Sequence, residues 1–230
     1  MKILAMDTSS FAASVAVFDD NIILGEYVVR NQRKHSQNIM VMTERLLDNL
    51  EMDISEIDVF ATTVGPGSFT GLRFGISSIR AFAQAMNKPV AAVSTLEALA
   101  YNVSEFSGII VPMLDARRDE VFTAAYEFTN GKIKEVIQPC VMTVPEIIDM
   151  YSDKKVMFTG DGALIHRDEL KTSDNFFFAP VNMAETRASS LVCAALDKTE
   201  KNELKHYNEV LPIYLRKSQA EREYERRNGK

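Results

Sequence analysis

Four short stretches of this chain bring chemistry-bearing residues together. Asp7-Thr8-Ser9-Ser10 closes a β-like run near the start. A carboxylate there can hold a metal-bound water, and the hydroxyls can bond phosphate oxygens. The same four residues also build an ordinary Asx or Ser/Thr turn. Gly65-Pro66-Gly67-Ser68-Phe69-Thr70-Gly71-Leu72-Arg73-Phe74-Gly75-Ile76 stands between a β-like and a helix-like run. A Gly-rich turn in that place lets the backbone approach a phosphate or another chain closely. No Lys follows, and the spacing fits neither G-x-x-x-x-G-K-[ST] nor G-x-G-x-x-G. The segment therefore has a phosphate loop's shape without its standard chemistry. Asp115-Ala116-Arg117-Arg118-Asp119-Glu120 offers two guanidinium groups to a phosphate or an acidic partner, or equally to local ion pairs in a charged hairpin. Gly160-Asp161-Gly162-Ala163 reads as the fourth, a tight turn.

Other chemistries lack their residues. His35, His166 and His206 are scattered, and none has a second His at i+3 or i+4. Metal-ligand spacing is absent. No G-x-S-x-G elbow occurs and Cys140 has no evident base, which leaves a hydrolase or peptidase reading without a nucleophile. The net charge of −6 argues against broad, non-specific nucleic-acid binding. Cys140 and Cys193 sit in apolar surroundings and suggest no disulfide framework. No apolar run approaches the ~20 residues needed to cross a bilayer. The N-terminus meets Asp7 after four apolar residues, unlike a signal peptide. A cytoplasmic protein with no membrane contact is expected.

The elements that must position these stretches follow a repeated order. Strands are expected at Lys2–Asp7, Ala12–Phe18 and Ile22–Val29, with Asp19-Asp20-Asn21 as a tight turn. A helix follows over 36–50, capped by Ser36, then a strand over 57–64, a helix over 69–86, a strand over 90–93 and a helix over 95–102. The second half repeats this with strands at 109–114, 120–128 and 132–136. A helix at 144–150 behind Thr143 and Pro145 comes next, then strands at 155–158 and 176–178 and a helix at 184–198. The pattern predicts an α/β protein of two duplicated β-β-β-α-β-α lobes, residues 1–105 and 106–215. A tail over 216–230 carries six basic and three acidic residues, fitting a solvated end or a small basic arm.

The helix over 69–86 has apolar residues on more than one side. Phe69, Leu72, Ile76, Ile79, Ala83 and Met86 form one face, Phe74, Ala81 and Ala85 a second, and Arg73, Arg80 and Gln84 a narrow stripe. A lobe's surface helix needs only one apolar face. Gly71, Gly75 and Ser78 would admit another helix closely. The second face is covered either by the other lobe or by a partner, and the expected partner surface comprises Ile39, Val41, Leu46, Phe69, Leu72, Arg73, Phe74, Ile76 and Arg80.

In combination, these motifs resemble the TsaB (YeaZ) family. The resemblance rests on Asp7-Thr8-Ser9, Lys34-His35-Ser36, Gly65 to Gly75, Asp115 to Phe122, Gly160 to Ala163 and Pro212-Ile213-Tyr214-Leu215-Arg216, in order over nearly the whole chain. It implies an actin-like (ASKHA), RNase H-type fold and a part in forming N6-threonylcarbamoyladenosine in tRNA next to the anticodon. It implies a non-catalytic paralogue of the transferase TsaD, partnering a TsaD-like subunit, a TsaE-like ATPase and a second copy of itself, and meeting tRNA only through the complex. The catalytic paralogue carries His-x-x-x-His after its Gly-rich helix; Thr95 and Leu99 stand at the matching places, and Leu cannot ligate a metal. No catalytic or metal residue and no required cofactor is then expected. At most, weak ATP or ADP binding falls to Asp7, Thr8, Ser9, Ser10, Gly160 and Asp161. The rival reading is an actin-fold kinase acting on a small molecule with Mg-ATP.

Overall fold

The computed structural model describes residues 1–30 and 35–216, with side chains in the first helix from Ile39 onward. The expected caps and motif residues Lys34, His35 and Ser36 lie outside the described side chains, and the tail over 217–230 lies outside the described residues. Two five-stranded sheets are built alike. The first contains β1 (Lys2–Asp7), β2 (Ala12–Asp19), β3 (Ile22–Arg30), β4 (Val59–Thr63) and β5 (Val90–Val93). The second contains β6 (Ile109–Asp115), β7 (Glu120–Thr129), β8 (Lys132–Thr143), β9 (Val156–Thr159) and β10 (Phe176–Phe178). Their orders, β3-β2-β1-β4-β5 and β8-β7-β6-β9-β10, are one order written twice. In each, the first three strands run antiparallel and the last two join in parallel. The duplicated actin-like plan is therefore present.

Hairpin chemistry fixes the antiparallel parts. Asp20 and Asn21 turn β2 into β3 with positive φ, and Asn130 and Gly131 do the same between β7 and β8. Burial on both sheet faces comes from the period-2 alternation of each strand. Leu4 and Met6 of β1 join a core with α1 (His35–Asn49) and α2 (Phe69–Met86), whereas Ile3 and Ala5 face the other way. That inner face packs against Ala98 of α3 (Thr95–Tyr101) and Ala188, Leu191, Val192 and Ala195 of α7 (Ala188–Glu200). Leu96, Leu99 and Ala100 of α3 meet Ile110 and Leu114 of the second sheet. The second sheet's outer face is covered by α4 (Val144–Tyr151), α5 (Asp161–Ile165) and α6 (Arg167–Leu170).

Several expectations shift. The division at 106–215 assigns α7 to the second lobe by chain order, but α7 packs on the first sheet. The helix expected from Ala184 starts at Ala188, because Asn102 Nδ2 donates to the carbonyls of Met183 and Glu185, both at 2.8 Å, and holds that segment out of helix. Strand β8 runs on from Val136 to Thr143. Pro139 is tolerated there because an edge strand needs no outward N–H. The expected turn at Gly160–Ala163 opens α5 instead.

The last described residues tie the lobes together. Lys205 pairs with Val90 at the β5 edge, and Ile213 N donates to Val64 O at 2.7 Å. Tyr214 stacks on Phe69 with centroids 4.5 Å apart and accepts from Arg73 Nε at 3.0 Å. Arg216 then donates to Ala116 O at 2.9 Å and pairs with Glu120 in the second lobe.

Candidate functional site

Strands β1 and β6 hold equivalent places in the two sheets and end at Asp7 and Asp115. Asp7 is fully buried, and Thr8 and Ser9 nearly so. Thr63 Oγ1 donates to Asp7 Oδ1, as do Ser9 N at 3.2 Å and Ser9 Oγ at 2.6 Å. Thr8 Oγ1 donates to Gly71 O at 2.8 Å. Ser10 Oγ stays within its own turn, bonding Ala12 O and N at 3.4 Å. Every hydroxyl of the loop is thus turned to the protein's own backbone or to Asp7. The Asx-turn reading describes this geometry.

The glycines of the Gly-rich stretch have the same explanation. A Cβ at Gly67 would lie 2.4 Å from Ser9 O, one at Gly71 2.0 Å from Thr8 O, and one at Gly75 2.4 Å from Thr8 Oγ1. A Cβ at Gly65 would lie 2.4 Å from Ile213 O. Ser68 N donates to Ser9 O at 2.7 Å, and Ser68 Oγ accepts from Gly71 N to cap α2. The close approach that glycine allows is used by the N-terminal loop and by the C-terminal segment. Gly71 and Gly75 consequently cannot admit a second helix, as the helical wheel had suggested.

The second lobe treats Gly160 and Asp161 likewise. Gly160 has φ +100° and would set a Cβ 2.0 Å from Met113 O. Asp161 Oδ1 accepts from Asp115 N at 3.1 Å; burial still lifts its carboxyl above the ordinary range. The seam bounded by Ser10, Phe11, Leu99, Leu114, Asp161 and Glu185 has no room for a water molecule. Of the nucleotide candidates Asp7, Thr8, Ser9, Ser10, Gly160 and Asp161, Ser10 and Asp161 line this seam, while the hydroxyls of Thr8 and Ser9 bond Gly71 O and Asp7. Leu99, at one of the two positions expected to lack a ligand, is fully buried and lines this seam. Thr95 begins α3 and its N–H donates to Gly65 O at 2.9 Å. Among the described residues, no three His, Cys, Asp or Glu side chains cluster as a metal site would need, and no helix is long and apolar enough to cross a membrane.

Arg117 and Arg118 are exposed, and with Asp119 they form a run of three residues with φ near +60°. Arg117 N donates to Asp115 Oδ1 at 2.7 Å, so the turn is held from within. Sequence reasoning missed the C-terminal segment as a structural part; its only signal was its presence in the motif set.

The expected partner surface divides. Ile39, Leu46, Leu72 and Ile76 are core residues, between 0% and 3% exposed. They face the first sheet because the stripe spaced i, i+3, i+4 on each helix is the one that covers β1, β2 and β4. Val41 is exposed, as is Arg73, while Phe69, Phe74 and Arg80 are half-buried. Phe74 packs against the first core, and Arg73 lies over the Phe69 ring at 3.9 Å. Met40, absent from the expected set, is exposed beside Val41.

Comparison with known proteins agrees with this geometry. A family model described as TsaD, tRNA N6-adenosine threonylcarbamoyltransferase, matches residues 24–224. The tRNA threonylcarbamoyladenosine biosynthesis protein TsaB of Bacillus subtilis strain 168 is 29% identical over 225 residues, covering 96% of each chain. The solved structure of YeaZ from Pseudomonas aeruginosa superposes with a TM-score of 0.80 at 27% identity, covering 93% of this chain and 99% of that one. The ethanolamine utilization protein EutJ from Carboxydothermus hydrogenoformans, at 13% identity and TM-score 0.51 over 85% of this chain and 89% of its own, shares the fold alone.

Proposed function

The chain belongs to the TsaB (YeaZ) family, biosynthesis proteins of tRNA threonylcarbamoyladenosine, and from that premise we propose that it acts as a non-catalytic scaffold for a TsaD-like transferase subunit. The observation that carries this reading is the seam between the lobes. The hydroxyls of Thr8 and Ser9 are spent on internal bonds, and Leu99, which the family resemblance aligns with a histidine of the catalytic paralogue, lines the seam. An actin-fold kinase acting on a small molecule would need a nucleotide cradle in that seam, and these residues supply none.

The docking surface is the outer side of α1 and α2, reduced to the side chains that reach solvent: Met40 and Val41 on α1, and Arg73 with the flanking edges of Phe69, Phe74 and Arg80 on α2. Apolar groups next to a fixed guanidinium suit a protein partner's helix. A TsaE-like ATPase joins the complex, and tRNA is met through it.

Reconstitution tests the reading. This chain is mixed with the TsaD-like and TsaE-like proteins of the same genome, and tRNA modification is measured with each left out in turn. Modification should need this chain and should not arise from it alone. Val41→Glu, at a residue 43% exposed, should keep the fold and weaken binding of the TsaD-like subunit at least about tenfold, a loss of about 1.4 kcal/mol. Unaided transfer by the isolated chain, or unchanged binding by this variant together with Arg73→Glu, overturns it.

A further inference from the structure

Where the end of α3, the turn that leads from it into β6, the β7–β8 hairpin and α7 meet, the fold leaves a cavity of about 700 Å³. Among the described residues, it shares no lining residue with the seam that holds Ser10 and Asp161. Helical spacing explains its α7 wall. Ala188, Leu191, Val192 and Ala195 cover the first sheet, so the side of the helix that carries Cys193, Leu196, Asp197 and Glu200 is left to line the cavity. Two rings form another wall. Tyr101 packs against the first sheet's inner core and Phe128 against the core between α3 and the second sheet, and they meet edge to face with centroids 5.0 Å apart. Phe106 adds a third ring, and it already attracts an ammonium group: Lys155 Nζ lies 5.0 Å from its centroid.

The charge of the lining narrows the ligand. Among the described residues that line the cavity, Lys132 is the one base, against the carboxylates of Glu105, Asp197 and Glu200. Asp197 pairs with Lys201 at 2.7 Å, whereas Glu105 and Glu200 are exposed and have no ion pair among the described residues. Burial lifts the Tyr101 phenol above its ordinary value, and the charges of Asp197, Glu97 and Glu200 push the same way. An anion is therefore disfavoured. A single metal ion fits no better: among the described residues no three His, Cys, Asp or Glu side chains come close enough to share one, so these carboxylates are spread around the cavity. Spread negative charge between aromatic and aliphatic walls suits a ligand that is itself an apolar chain with separated positive groups. We infer that the cavity is a binding site for a small aliphatic polyamine, with its methylenes on Tyr101, Phe128 and Leu196 and its ammonium groups toward Glu105 and toward Asp197 and Glu200. The inference does not rest on the scaffold reading.

The test is isothermal titration calorimetry of the full chain with spermidine as the probe, at fixed ionic strength. Wild type should bind a single spermidine, and butylamine, which has one positive charge, should bind at least about tenfold more weakly. Glu105→Gln combined with Glu200→Gln keeps the side-chain shapes at exposed positions. That double variant should keep the native circular dichroism and weaken spermidine at least about tenfold. Glu135→Gln, exposed on β8 outside the cavity, should bind as wild type does. Spermidine should also slow alkylation of Cys193, which lines the cavity, and leave that of Cys140 unchanged. A wild type that binds no spermidine at millimolar concentration overturns the inference. So does unchanged binding by the double variant, butylamine bound as tightly as spermidine, or Cys193 left unprotected. An equal loss in Glu135→Gln overturns it as well, since that marks diffuse counter-ion attraction rather than a site.

Discussion

The two lobes share a strand order but not a helical cover. In the first, the outer helices α1 and α2 have 15 and 18 residues; in the second, α4 and α5 at the equivalent places have 8 and 5. Both fourth strands lead into a glycine that approaches the sheet's first strand or its following loop. Beyond that glycine the second lobe needs only enough helix to close its core. The first lobe continues for several turns and carries residues its own sheet does not require, Met40, Val41 and Arg73 among them. The duplication teaches that topology and surface are set separately: the sheets keep one strand order, and the helices laid over them differ.

That comparison can be broken or sharpened by substitution. The largest effect should come from Ile76→Glu, which places an unpaired charge among the first core's buried residues and should cost about 4 kcal/mol in a urea titration. A loss under about 1 kcal/mol would show that this face of α2 reaches solvent. Next, Gly71→Ala drives a methyl group into the Thr8 carbonyl and should cost about 3 kcal/mol. Gly162→Ala in the second lobe meets Met113 at 3.0 Å and should cost only about 1 kcal/mol. Equal losses would mean that the two glycine contacts are packed alike. Tyr214→Phe removes the hydroxyl that accepts from Arg73 while keeping the Phe69 stack, and should cost about 0.5 kcal/mol.

The smallest expected effect is a pH slope. Burial would raise the Glu26 carboxyl, but hydrogen bonds from Arg187 and Ser189 outweigh it and hold the group below its ordinary 4.5. A carboxyl depressed in the fold contributes stability that is complete above 4.5 and lost as pH falls through the folded value. Glu97 works in the opposite sense. Burial raises it, with the Lys198 ammonium as the main opposing influence, so acidification restores stability there. Urea midpoints taken above and below pH 4.5 should fall less in Glu26→Gln than in wild type. An identical acid limb in both proteins would remove Glu26 from the account.

Local chemistry made most of the fold legible. Asp20-Asn21 and Asn130-Gly131 announce their hairpins, and Thr143 with Pro145 opens α4. What stayed hidden depends on distant partners. The periodicity of α2 shows apolar faces but not which of them meets the sheet, so Leu72 and Ile76 read equally as surface or core. A Gly-rich turn looks the same whether a phosphate or Ser9 fills the space above it. Nothing near Ala188 says that its helix returns to strands more than 90 residues earlier.

That return has a consequence for how the protein is made. The inner face of the first sheet is complete in strands once Val93 has been synthesised, yet beyond Ala98 of α3 its cover begins only at Ala188. A nascent chain must carry Ile3, Ala5, Val59 and Ala61 bare, or shielded by a chaperone, while the whole second sheet emerges from the ribosome. Tyr214 and Arg216 lock against Phe69 and Ala116 later still. The N-terminal half therefore finishes last, and translation that stalls before α7 releases a sticky half-protein rather than an independent lobe.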